Sequence, residues 1–188
     1  MTFGVGSGLD AGEPEFFQVL GHFVHLFARA EDSVRWLSMK AAHSDGNDTP
    51  KRLERRPLSE VIKDLQSFYG QFSGRNTRDL DQLLLILDVR NDILHNTTRY
   101  TDGKIHILKG AFTSDSDLKT VVYSLSDIKF SICDLTTILL GLAAKFHQIV
   151  GINASNSPEP LGDAIMLSEL FSKVPWSYFP PGRSRNGR

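Results

Sequence analysis

Cysteine is almost missing: the 188-residue chain has one, Cys133. No disulfide can form within the chain, which excludes a stapled secreted scaffold and fits a reducing compartment. Excess charge is missing too. Lys and Arg number 21 against 22 Asp and Glu, a net −1, so a polyanion would have to be held by a local basic patch. Nor is there a long uninterrupted apolar run. The most apolar segment, ICDLTTILLGLAAKFHQIVGI, carries Asp134, Lys145 and His147, which argues for a core helix over a membrane span. The start, MTFGVGSGLDAGEPE, lacks a basic opening and an apolar h-region, so no secretory signal is expected. Its GVGSG is not a phosphate loop, because no Lys-Ser/Thr follows. A cytoplasmic protein with one main core and no membrane partner is the expectation.

Periodicity supplies the skeleton. Residues 1–14 are Gly-rich and aperiodic, an arm. Phe16, Leu20, Phe23, Phe27, Ala30, Val34, Leu37 and Ala41 then repeat at 4-3 spacing, one seam of a helix about 40 Å long. Pro57 opens a second helix with Leu58, Val61, Ile62, Leu65, Phe68, Tyr69 and Phe72 on one side. Thr77 can cap a third from Arg78 to about His95, apolar over most of its circumference. Asp102-Gly103 signals a type I′ hairpin, and LKTVVYSL suggests a third short strand. Ser126 is placed to cap a fourth helix with the seam Ile128, Ile132, Leu135, Leu139, Leu142, Phe146 and Ile149. The fold class expected is all-α: a four-helix up-down bundle over residues 15–150, with a small β-hairpin between the third and fourth helices. Residues 151–188 read as a linker, a short helix near Asp163 to Lys173 and a basic tail.

One stretch breaks the apolar logic. LDVRNDILHN puts Arg90, Asn91 and His95 near the end of the third helix. On a helical projection Arg90 falls inside the apolar arc, and His95 lies about 140° round and about 7.5 Å along the axis. Asn91 and His95, at i and i+4, share a face. Arg90 either ends an interior helix paired with a carboxylate, with His95 a C-terminal cation, or the group faces a ligand. The second option suits metal-free RNA cleavage. Histidine moves protons near neutral pH, and a guanidinium offers a fixed fork of donors to phosphate oxygens.

The R-N-x-x-x-H motif, late in the third helix of a four-helix unit opened by a long amphipathic helix, resembles the HEPN superfamily (higher eukaryotes and prokaryotes nucleotide-binding domain). The resemblance covers about residues 15–150. It implies a metal-independent endoribonuclease that cleaves RNA through a 2′,3′-cyclic phosphate, needs no cofactor, commonly dimerises, and serves as a toxin or antiphage effector. Arg90, Asn91 and His95 would be its catalytic residues. An antitoxin or sensor protein is a possible partner. The family variant with a Tyr two residues after the His is absent, since that position is Thr97. The alternative is a non-catalytic HEPN-like interaction module.

Supporting roles fall to two acids. Glu31 either orients Arg90 or pairs with Arg35 at i+4. Asp92 flanks the His95 edge. Lys51, Arg52, Arg55 and Arg56 form the densest basic patch, an RNA-backbone grip or a solvated loop. Trp176, Tyr178 and Phe179 either stack on bases or dock the C-terminal segment. His22-x-x-His25 and Asp92-x-x-His95 fall short of a di-metal set, so no metal site is expected.

Overall fold

The 4-3 repeat of the first segment becomes α1 (Glu13–Ser44) in the computed structural model, which describes residues 13–44, 55–70, 77–109, 119–155 and 175–180. Phe16, Phe23, Phe27, Ala30, Val34, Leu37 and Ala41 are all buried, and Leu20 is partly so. Burying one such side chain is worth about 1.5–3 kcal/mol, so a single seam can anchor a long helix. α2 (Leu58–Gly70) starts directly after Pro57, whose carbonyl accepts from Glu60 N and Val61 N. α3 spans Arg78–His95, the range its pattern predicts. Thr77 does stand before it, but its side chain makes no cap; its carbonyl accepts from Leu80 N and Asp81 N instead.

β1 (Thr97–Thr101) and β2 (Lys104–Lys109) form the expected hairpin. Asp102 and Gly103 both take positive φ, 54° and 72°, as a type I′ turn requires. β3 (Lys119–Ser124) pairs antiparallel with β2, so the insertion is a three-stranded sheet of order β1-β2-β3. Ile105, Ile107 and Tyr123 face inward. α4 (Leu125–Ser155) follows without a loop. Its cap is Ser124, not Ser126. Ser124 Oγ accepts from Asp127 N at 3.1 Å while the Asp127 carboxylate accepts from Ser124 N at 2.7 Å, a reciprocal capping box.

The chain is thus mostly helical with a small antiparallel sheet. α1 packs chiefly along α4, α2 lies against α1 and α3, and α3 against α4. The sheet sits beside α3 and the start of α4, with Tyr100 stacked on Phe16 at 4.6 Å. Among the described residues no helix is long and apolar enough to cross a membrane.

α4 buries a second, polar-dotted face that its 4-3 seam does not reveal. Ser131, Asp134 and Lys145 are buried on it. Asp134 Oδ1 accepts from Ser177 N and Oδ2 from Tyr178 N, each at 2.8 Å. Gln82 Nε2 closes the clasp, donating to Asp134 Oδ2 at 2.8 Å and to the Tyr178 carbonyl at 2.9 Å. Burial pushes the Asp134 carboxyl up, against the pull of the backbone N–H groups of Ser177 and Tyr178. Trp176 and Tyr178 are therefore buried docking groups, with their rings covered and not offered to a base. The arm through residue 12, Phe72, Lys51, Arg52, the segment near 163–173 and the basic tail lie outside the described residues.

Candidate functional site

The helix carrying the motif ends abruptly, and that end fixes its side chains. Asn96 Nδ2 donates to the Asp92 carbonyl at 3.0 Å, and Thr98 Oγ1 to the Ile93 carbonyl at 3.2 Å. Two orphan carbonyls of the last turn are thereby satisfied as the chain turns into β1. His95 is left exposed at this corner.

Arg90 reaches round the helix to it. Its Nη1 lies 3.1 Å from His95 Nε2 and donates to Asn91 Oδ1 at 3.0 Å. A guanidinium only donates, so a hydrogen bond between them uses the Nε2 lone pair. Phe27 of α1 lies beneath the guanidinium, 5.8 Å from ring centroid to guanidinium carbon. Long-helix packing thus steers a flexible side chain across the projected 140°. Among the described residues Arg90 has no carboxylate partner. It is a half-buried cation with no carboxylate beside it among the described residues, an arrangement that favours an incoming anion.

The two supporting acids are placed differently. Glu31 Oε1 accepts from Arg35 Nε at 3.0 Å and Nη2 at 2.8 Å, so the i+4 option holds and Glu31 is not the partner of Arg90. Asp92 is buried and turned to the sheet. It accepts from Tyr123 Oη at 2.7 Å and forms an ion pair with Lys109. The expectation that Asp92 flanks the His95 edge is corrected: the roughly 60° between the two positions on the helix sends Asp92 under β2 and β3. Among the described residues no three His, Cys, Asp or Glu side chains converge as a metal would require.

Arg55 and Arg56 do join the site. They line a pocket of about 350 Å³ with Pro57 and the first residues of α2, Leu58 and Ser59. α1 contributes Glu31 and Arg35, and α3 contributes Leu87, Arg90 and Asn91. Arg35 Nη1 donates to the Arg56 carbonyl at 3.2 Å, bracing α1 against the start of α2. In the sequence Arg35 stands out only as the i+4 neighbour of Glu31. No signal in the pattern brings it to Arg90, because the two lie on different helices.

The Asp92–Tyr123 link has a pH consequence. Burial, then the Asp92 hydrogen bond and charge, push the Tyr123 phenol far above its ordinary value; burial, then the charges of Asp127, Asp88 and Asp92, do the same to Tyr178. Folded-state pKa values above the unfolded ones contribute stability that is intact below the unfolded value, about 10, and lost as pH rises beyond it. Denaturant midpoints should therefore hold up to about pH 10 and fall beyond it. Tyr123→Phe should make that fall shallower, and an equal slope in the variant would refute the assignment.

Comparison of the chain with protein-family models, with curated proteins and with solved structures finds no match.

Proposed function

We propose that the chain is a metal-independent endoribonuclease of the HEPN type, acting in the cytoplasm as a toxin or antiphage effector. The observation that carries the reading is the Arg90–His95 contact at 3.1 Å beside a pocket lined by four arginines. In this reading an RNA phosphate draws the Arg90 donors away from His95 Nε2. The freed lone pair takes the 2′-hydroxyl proton as the 2′-oxygen attacks phosphorus. Arg90 holds the charge gathering on the phosphorane oxygens, and Asn91 positions the guanidinium. The 5′-oxygen leaves with a proton from the imidazolium of a second copy of the motif, and the product ends in a 2′,3′-cyclic phosphate.

That scheme needs a base and an acid, and the motif supplies one histidine per chain. The proposal therefore includes a homodimer whose two-fold axis joins two copies of the motif in one cleft, built on helices arranged as an up-down bundle. Recombinant protein in excess EDTA should cleave RNA to cyclic-phosphate ends, with specific activity following the dimer fraction on dilution in parallel sedimentation runs. Cleavage that EDTA abolishes would overturn the metal-independent reading. Full activity in a monomeric sample would overturn the shared cleft.

A second reading, a non-catalytic HEPN-like interaction module, draws on one observation. An apolar groove of about 690 Å³ runs between α1 and α4, with Trp36 and Leu140 on its wall and more than a third exposed. Under that reading neither Arg90 nor His95 affects any RNA, and the groove takes a partner chain.

A further inference from the structure

The arginine pocket is larger than the scissile phosphate requires. At about 350 Å³ it lies in the lower part of the range of small-molecule sites, about 300–1,000 Å³. That is room for a phosphate with part of a nucleotide, not for an oligonucleotide. Four arginines and one carboxylate line it, a formal +3 from 4 − 1. These charges are not equally engaged. Arg35 is held by Glu31, and Arg56 by Asp64 and Glu60. Arg55 and Arg90 have no carboxylate partner among the described residues. The pocket also takes in Ser59 at the start of the 13-residue α2, the positive end of its helix. Arg90 belongs both to this pocket and to the His95 contact.

We infer that the pocket is a second phosphate seat: it takes the phosphodiester next to the scissile one, so the substrate is RNA with at least two phosphodiesters. The inference rests on the ribonuclease reading for which phosphate is scissile, but not for the seat itself. Arg90 meets the strand at the His95 end, and Arg55 with the α2 N-terminus receives the neighbouring phosphate. The braced Arg35 and Arg56 form a wall of fixed shape. A fork of guanidinium donors suits a phosphodiester's two free oxygens. A single phosphodiester would occupy one end and leave Arg55 uncompensated.

The test is an NMR titration of the full chain with uncleavable 2′-O-methyl ligands: a dinucleoside monophosphate, a trinucleoside diphosphate and inorganic phosphate. The trinucleotide should bind roughly tenfold tighter than the dinucleotide, the gain expected from one more charge-assisted contact. In Arg55→Ala, an exposed position, that ratio should fall toward one, and Arg55→Lys should restore part of it. Equal affinities for the two ligands in the wild type would overturn the seat even if RNA is cleaved. A ratio unchanged by Arg55→Ala would overturn it as well. Saturation of the pocket by inorganic phosphate with no trinucleotide preference would mean a free-anion site and would sink the inference. A preserved ratio in a protein that cleaves no RNA would sink the ribonuclease reading and leave the seat standing.

Discussion

Alanine at His95 should lower RNA cleavage by about 10²–10⁴-fold, the usual contribution of a positioned proton-transfer group. The loss should come with an unchanged thermal midpoint, because His95 is exposed at the end of α3 and carries no buried packing. Arg90→Ala should cost about 10²–10³-fold, the range for removing a preorganised donor to developing charge. It should also lower stability slightly, since the guanidinium covers the Phe27 ring. Arg90→Lys should not restore the rate: a point charge cannot reach His95, Asn91 and a phosphate with one fixed fork. The double variant should be barely worse than either single one, because groups that act as a unit are not additive. Single-turnover cleavage in excess EDTA, read beside thermal melts, decides the matter. Equal activity in wild type and both single variants would identify a contaminating nuclease and sink the reading.

Asp79→Ala should destabilise the fold by about 3–5 kcal/mol, the cost of leaving a buried ion without its partner. Lys145 Nζ lies 2.6 Å from Asp79 Oδ2, and their side chains are only 4% and 12% exposed. The pair ties the first turn of α3 to α4, the helix against which the motif-bearing helix is held. Its geometry depends on Gly141, where an added Cβ would come within 3.0 Å of Asp79 Oδ2. Tyr69 steadies the same corner, donating to the Lys145 carbonyl at 3.1 Å. Among the described residues Asp79 Oδ1 is buried with no hydrogen-bond partner, so the pair is an imperfect one whose value lies in not being broken. Replacing both members should therefore hurt less than removing one. Asp79→Ala with Lys145→Met should recover most of the single-variant loss in urea denaturation. A single variant within about 0.5 kcal/mol of wild type, the scatter of ordinary surface changes, would show that the ammonium finds water or another acid. A double variant at the sum of the two losses would show that the pair is not coupled.

What the sequence determined by itself was most of what is governed within a few turns of chain. The 4-3 seam of α1 lies buried as spaced, Pro57 precedes α2, α3 runs from Arg78 to His95, and Asp102-Gly103 turns the hairpin. These follow from apolar period, from proline's fixed φ and from the φ > 0 that a two-residue turn needs. The α4 cap shows how fine local chemistry can be: Ser124 and Ser126 are both serines, and only Ser124 has an acid three residues on, Asp127, to complete a reciprocal box.

Partner choice across the chain was decided only by tertiary packing. Glu31 is the exception: of two arginines in prospect it took Arg35, an i+4 neighbour on its own helix that needs no distant element to arrive. Asp92 took Tyr123, 31 residues away, once the sheet covered that side of α3. Gln82 and Asp134 are ordinary polar interruptions in sequence. They become a clasp only when residues 177 and 178 bring unpaired backbone N–H groups to a buried face. The meeting of Arg90 with His95 is of the same kind. The motif places them on opposite sides of a projected wheel, and the Phe27 ring of α1 and the flexible arginine stem close the gap. Periodicity fixes which face a residue occupies, but a long side chain's direction is set by what packs over it, and that information lies in other helices.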